Sequence, residues 1–519
     1  LILCLFSCLF IAIFSPISAQ EKPQINKSIQ RNFTIIQGAH NLNLNPHTAT
    51  YTSEAQILGN IFEGLFSYDP ATLVPVPAIA ESYKISRNKK RWTFTIRENA
   101  KFSDGTQITA QTVKDSWIKL LSNPKALYAS LFDIISGAKE FRSGNITEEN
   151  VGIFVKDERT LVVQLNAPAS HFSRILCHHA FAIVGTDFSI ASGPFYISER
   201  NEKNLILKKN ESYWDFDSVN LPQITIQFSE DSNENTYLFN SGNADWVCSS
   251  VEIEKIIIKN SVQLAAEFGT QYFFFKSSRH PWNNPEIRLA LLSAVPWDEL
   301  RKNYPIKAEN FIYPLYGYPS VTGFSDTDSE EACELMKEAR RKSGIPQDKK
   351  LELVFGVIEN SYSQKQAEIL KEAWLPLGVE LKTVSKPSSE YLTSIPDWDA
   401  DLFTYTWIGD FPDPLSFLEL FRGNSTLTVS KYSNQEFDSL LDEAAADETE
   451  NHMKLLAKAE QLLLDEGMIL PISHPVSINA VDLQSIGGWF TNSLDVHPFK
   501  YIYFKEKQSK IENLVRMEK

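Results

Sequence analysis

Hydrophobic and polar positions along this chain follow two periods in turn. Arg91-Trp92-Thr93-Phe94-Thr95-Ile96-Arg97 alternates residue by residue, as a half-buried strand must. Phe33 to Ile36, Arg159 to Leu165 and the pair Gly193–Ile197 with Asn204–Lys208 read as strands, the last two as a hairpin. Gln271-Tyr272-Phe273-Phe274-Phe275 is apolar throughout, which predicts a strand buried on both faces. Helical spacing appears from Ser53 through Leu58, Ile61 and Phe62, and again after Thr109, where Val113, Trp117 and Leu120 share a face behind a Thr cap.

The second half is more regular. Ser329 is expected to cap a helix with Glu330 and Glu331 in its first turn and Arg340, Arg341 and Lys342 in its last. Leu351–Val357, Ser363–Trp374 and Val379–Val384 then read strand, helix, strand, a β-α-β unit that implies parallel pairing in a covered sheet. Asp401 to Thr406 is a further strand, and helices follow over Asn434–Asp447 and Glu450–Glu466. With 519 residues, two to four domains are expected.

Composition narrows the class. Leu1 to Ala19 carries no charge and ends in Pro16-Ile17-Ser18-Ala19 before Gln20-Glu21-Lys22, which reads as a secretory signal cleaved after Ala19 whose basic start is missing. A membrane anchor or a lipidated Cys8 are the alternatives, and both fit the interrupted apolar run less well. The net charge of −15 argues against nucleic acid and anionic lipid, and suits cationic or zwitterionic ligands. Cys177, Cys248 and Cys333 are too few and too scattered for a disulfide framework, so free thiols are expected.

Catalytic signatures are missing. The chain has no Gly-rich phosphate loop, paired-His zinc helix, nucleophile-elbow serine or Cys-x-x-Cys, so it is read as a non-enzyme without cofactor or metal. His178-His179 beside Cys177 is the nearest thing to a metal cluster, but in a strand the two side chains would diverge. Trp407-Ile408-Gly409-Asp410-Phe411-Pro412-Asp413-Pro414 carries the most specific chemistry. An indole excludes water, Gly409 admits close backbone approach, two prolines stiffen the turn, and Asp410 can pair with an ammonium group. The bland alternative is a surface loop whose Asp caps a turn.

Several segments together resemble the extracytoplasmic solute-binding proteins of oligopeptide importers, the OppA/DppA-like family 5. They are Leu44-Asn45-Pro46 with Asn60 to Leu65, Pro77 to Tyr83, Trp92 to Arg97 with Phe102-Ser103-Asp104-Gly105, Thr109 to Trp117, Gly193-Pro194-Phe195-Tyr196 with Asn210 to Trp214, and Asn284 to Ala290. The resemblance runs in order from Phe33 to Phe504. It implies an α/β, periplasmic-binding-protein-like (class II) two-lobe fold with an additional third domain and mixed sheets, the extra domain sitting on the first lobe. Implied boundaries are 20–75 with 190–268 and 482–519 for domain I, 76–189 for domain II and 269–481 for domain III.

By the same resemblance, Asp410 lines up with the carboxylate that receives a peptide's α-ammonium, with Trp407 and Gly409 as cleft wall. Glu63, Gly64 and Leu65 are expected to border the cleft, against the alternative that Glu63 forms a local ion pair. Implied partners are an oligopeptide and the membrane permease of an ABC importer; a periplasmic or otherwise extracytoplasmic monomer that binds no nucleic acid is expected. Departures include Asn88-Lys89-Lys90 before the aromatic strand, Pro296-Trp297 in the third domain, and Thr404 and Thr406 where a basic residue would precede Trp407. The partner of the ligand's carboxylate is therefore open, with Arg279, His280 or Arg422 as candidates. Other ligands (cell-wall peptides, nickel chelates) and other classes (a secreted hydrolase, a chaperone-like protein) remain alternatives.

Overall fold

The computed structural model describes residues 31–169, 171–447 and 449–506. The expected signal at 1–19 lies outside them. No helix among the described residues is long and apolar enough to cross a membrane.

Three sheets organise the chain. A seven-stranded sheet builds the first lobe, and its centre is Phe33–Gln37, which pairs in parallel with both Gln223–Phe228 and Trp246–Val247. Four of its five residues are buried, as its apolar sequence requires. The predicted hairpin of Phe195–Arg200 and Asn204–Lys209 forms one edge. The second lobe holds a five-stranded sheet in which Leu351–Ile358 runs parallel to Val379–Lys386 from Leu351↔Val379 onward, as the β-α-β reading demands. The aromatic run lies within Gly269–Phe275, between Leu402–Ile408 and Ile469–Ser473, with Phe273, Phe274 and Phe275 all buried.

The extra domain carries a four-stranded antiparallel sheet around Arg91–Ile96. Its helix Ala110–Leu121 packs Val113, Trp117 and Leu120 inward, and Thr109 Oγ1 accepts from Thr112 N at 3.3 Å as the predicted cap. Trp117 Nε1 donates to Phe181 O at 3.0 Å, so even the buried indole nitrogen is satisfied. This domain is more than an appendage of the first lobe. Its apolar core is continuous with that of the second lobe, whereas the first lobe keeps a separate core.

The two lobes are joined by two adjacent crossings. Val262–Ala266 of the first sheet leads through Glu267 and Phe268 into Gly269–Phe275, and Ile469–Ser473 returns through His474 and Pro475 to Val476–Val481. Glu267 N donates to Pro475 O at 3.0 Å, so the crossings are hydrogen-bonded side by side. The chain thus re-enters the seven-stranded sheet with Val476–Val481.

Local details differ from the sequence reading in three places. Asp328, not Ser329, caps the helix Ser329–Lys342, accepting from Glu331 N at 2.8 Å; its carboxylate both bonds the free N–H and meets the positive helix end. The strand expected to stop at Thr406 runs on to Ile408, so Trp407 is a paired strand residue opposite Thr270. His178 and His179 sit at the start of a short 3-10 turn, where their rings approach to 4.1 Å instead of diverging.

Candidate ligand-binding cleft

The strand Leu402–Ile408 ends at the hinge. Gly409 N donates to Phe268 O at 2.8 Å, and a Cβ on Gly409 would stand 2.7 Å from the Phe268 ring and 2.8 Å from Ser416 Oγ. Only glycine lets this backbone pass between them. Trp407 is 8% exposed, and its Nε1 donates to Ser416 O at 3.0 Å, which ties the strand to the helix that follows. Phe411 is fully buried and stacks on His171 at 6.0 Å.

Asp410, between these anchors, is buried with little to meet it. Its side chain is 7% exposed, and Oδ2 has no hydrogen-bond partner. Oδ1 lies 3.5 Å from His178 Nε2, too long for a strong hydrogen bond. Burial pushes the Asp410 carboxyl well above the usual carboxylate range. The facing imidazole is not a counter-charge, because burial and the adjacent His179 hold His178 well below its ordinary value. The turn-capping role belongs to a neighbour instead: Asp413 Oδ1 accepts from Leu415 N at 3.0 Å, and its carboxylate also meets His452 and Arg174.

The wall around Asp410 comes partly from the extra domain, through Tyr128 and His178. Tyr68 hydroxyl donates to Asp410 O at 3.4 Å, and Tyr68, Tyr128 and Tyr405 all lie close enough for an Asp410 charge to raise their phenols beyond the effect of burial. The Tyr128 ring covers His178 at 4.4 Å. Tyr68, Tyr128 and Arg174 do not stand out in the sequence, and His178 stands out only beside His179 and Cys177, because each lies more than two hundred positions from Asp410 and in no motif with it.

Glu63 sits elsewhere. Its carboxylate accepts from Tyr213 Oη and from Trp214 Nε1 at 2.5 Å, with Lys500 Nζ at 3.8 Å, so it is held inside the first lobe by the local-ion-pair arrangement. Burial works against the Lys500 charge, but Glu63, Tyr501 and Asp215 together raise Lys500 above its ordinary value. A Cβ on Gly64 would fall 2.3 Å from Leu176 O, and Ile183 N donates to Glu63 O at 2.9 Å. Leu65 is fully buried. Glu63 and Gly64 clamp the segment that carries His178, while Leu65 O accepts from Ala78 N and Ala80 N.

A second space opens where Phe33–Gln37 and Trp246–Val247 end, a cavity of about 290 Å³ lined by Gln37, His40, Tyr51, Glu230, Asp495 and, from the second lobe, Ser388. Phe33–Gln37 has parallel neighbours on both sides, and ligands of open α/β sheets commonly lie beyond such strand ends. Gln37 Nε2 is buried there without a partner, and Tyr51 hydroxyl reaches across to Ser388 O at 3.3 Å. Two candidate carboxylate partners are already engaged: Arg279 with Asp399 and Asp401, and Arg422 with Glu419 and Asp442. Cys177, Cys248 and Cys333 are free thiols. Among the described residues, no group of three or more His, Cys, Asp or Glu is placed to hold a metal ion.

Two lobes, a hinge and an interlobe crevice define the class of a solute-binding protein. Residues 74–428 match the model described as bacterial extracellular solute-binding proteins, family 5 middle, and the chain belongs to this family. It is 27% identical over 479 residues to the dipeptide-binding protein DppE of Bacillus subtilis, covering 87% of each chain. The murein tripeptide binding protein MppA of Escherichia coli superposes with a TM-score of 0.81 at 24% identity, over 93% of this chain and 100% of that one. Haemophilus influenzae OppA in complex with the peptide RPPGFSPFR gives 0.81 at 20% identity, over 92% and 100%. The periplasmic-binding-protein-like two-lobe fold with a third domain is therefore the fold of this chain.

Proposed function

We propose that this protein captures peptides in the crevice between its lobes and delivers them to the membrane permease of an ABC importer, after export by its amino-terminal signal. The observation that carries this reading is the buried, unpaired Oδ2 of Asp410. A carboxylate in that setting is poorly stabilised as an anion until a cation arrives, and a peptide's α-ammonium supplies one. The relatives named for dipeptides, a murein tripeptide and a nonapeptide complex support a peptide as the ligand.

From Asp410 the ligand's backbone runs toward the cavity at the end of Phe33–Gln37, where Gln37 Nε2 offers a donor to a ligand carbonyl or carboxylate. Trp407 and Gly409 hold the loop that carries Asp410. Glu63, Gly64 and Leu65 border the cleft by fixing its wall, without touching the ligand. The chemistry asked of the site is binding only, and a monomer suffices for it.

Mass spectrometry of small molecules released on denaturing the purified protein tests the reading. Recovery of free-amine peptides is expected; recovery of only sugars or metal chelates would overturn it.

A further inference from the structure

His178 faces Asp410 from the extra domain, with 3.5 Å between Nε2 and Oδ1. Its other ring nitrogen, Nδ1, accepts from Ala180 N at 3.3 Å, so the proton of the neutral ring sits on Nε2, the nitrogen turned toward the carboxylate. The ring has little freedom. Tyr128 lies over it at 4.4 Å, His179 beside it at 4.1 Å and Phe181 at 6.1 Å. Its backbone is fixed as well, since Leu176 packs against Gly64 so closely that no Cβ would fit.

We propose that His178 is a positioning residue for ligand capture: its Nε2–H holds Oδ1 of Asp410 when the carboxylate ionises, and leaves Oδ2 as the single acceptor for the ligand's primary ammonium. This rests on Asp410 being the amine anchor. In the empty site the imidazole and the carboxyl stand 3.5 Å apart, near but not hydrogen-bonded. When an ammonium enters, Asp410 releases its proton to solvent and becomes an anion, and the N–H···O⁻ contact is charge-assisted, hence shorter and stronger.

The groups around His178 leave it this role alone. The phenols of Tyr68, Tyr128 and Tyr405 and the thiol of Cys177 are all raised by burial and stay neutral. His179 is held low, to about 4. Arg174, on the same segment, is engaged with Pro412 O and Asp413. Neutral phenols can still donate, but His178 Nε2 is the side-chain donor that the structure places 3.5 Å from an Asp410 oxygen.

The division of the carboxylate has a consequence for ligand class. An ammonium is a point charge and is served by one oxygen, whereas a guanidinium needs both oxygens for its two-pronged contact. The site therefore prefers a free α-amine over a guanidine at the same position.

The test uses tri-alanine with a free, an acetylated or a guanidinylated amino terminus, titrated by calorimetry from about pH 5 to about pH 9, into the wild type, His178→Phe and His178→Asn. His178→Phe should weaken the free-amine peptide about tenfold, move the pH at which affinity levels off upward, and narrow the preference over the guanidine. His178→Asn keeps an N–H donor and should restore most of the affinity. If His178→Phe keeps wild-type affinity and pH midpoint while acetylation still abolishes binding, His178 has no such role and the anchor stands. If the wild type binds the acetylated peptide as tightly, the anchor fails and this role with it. Should His178→Phe not fold, equal wild-type affinity for amine and guanidine overturns the proposal by itself.

Discussion

Arg174 of the extra domain and Asp413 of the second lobe face each other with 3.3 Å between Nη1 and Oδ2. Arg174 Nη1 also donates to Pro412 O at 3.4 Å. Both acceptors lie on the loop that carries Asp410, so one arginine braces the candidate ligand anchor from across the domain junction. Asp413 keeps a second partner within its own lobe, His452, whose two ring nitrogens face Ala444 O at 2.7 Å and the carboxylate at 3.1 Å. With an acceptor at each nitrogen the ring is a cation, and Asp413 raises it above its ordinary value against the effect of burial.

Arg174→Gln should therefore loosen the junction without leaving a bare charge, because His452 continues to neutralise Asp413. A loss of about 1 to 2 kcal/mol in ligand affinity is expected, chiefly as faster dissociation, with a larger radius of gyration for the loaded protein in X-ray scattering. Unaltered dissociation and scattering would remove Arg174 from closure.

Asp410→Asn separates stability from binding. The folded-state pKa of Asp410 is raised, so between the ordinary carboxylate value of about 4 and that raised value the folded state holds a proton that the unfolded chain has lost. Stability of the empty protein contributed by this group therefore falls as pH rises through that window. Asn carries no such charge. The variant should melt above the wild type at neutral pH, converge with it in acid, and lose about 2 to 4 kcal/mol of peptide affinity. A melting difference independent of pH would contradict the buried, uncompensated carboxylate.

Lys500→Met tests whether Glu63 serves the fold or the ligand. The substitution leaves the Glu63 carboxylate buried with Tyr213 and Trp214 but no cation, at an expected cost of about 3 to 5 kcal/mol in urea denaturation. Peptide affinity of the folded protein should be unchanged. A matching loss of affinity would return Glu63 to the ligand site.

Gly409→Ala probes the passage beside the hinge. The added methyl would meet the Phe268 ring and Ser416 Oγ at under 3.0 Å, and Phe268 is itself packed against Phe417 at 4.8 Å. Destabilisation of about 1 to 3 kcal/mol is expected from overpacking, read as a lower melting temperature. A neutral effect would show that this backbone can move aside.

Much of this protein was legible without its structure. Alternation around Trp92 to Ile96, the apolar run at Tyr272 to Phe275 and the β-α-β spacing of Leu351 to Val384 each specify a strand or helix through periods that act over a few residues. Asp410 stood out for a local reason too: a strand, a glycine, a carboxylate and prolines in one short stretch. Cap residues slipped by one position, as at Asp328, because neighbouring Asp and Ser can both satisfy a helix end. What surrounds the carboxylate was decided only by folding. Whether Asp410 is paired, and by whom, depends on Tyr68 and on Tyr128, Arg174 and His178 of the extra domain, all brought in across more than two hundred residues, and on Glu63 turning inward to Lys500. Burial, and with it the charge state of a carboxylate, is a property of the assembled interior: the sequence by itself determined which residue carries the acid, and only the tertiary structure removed its water and left one oxygen without a partner.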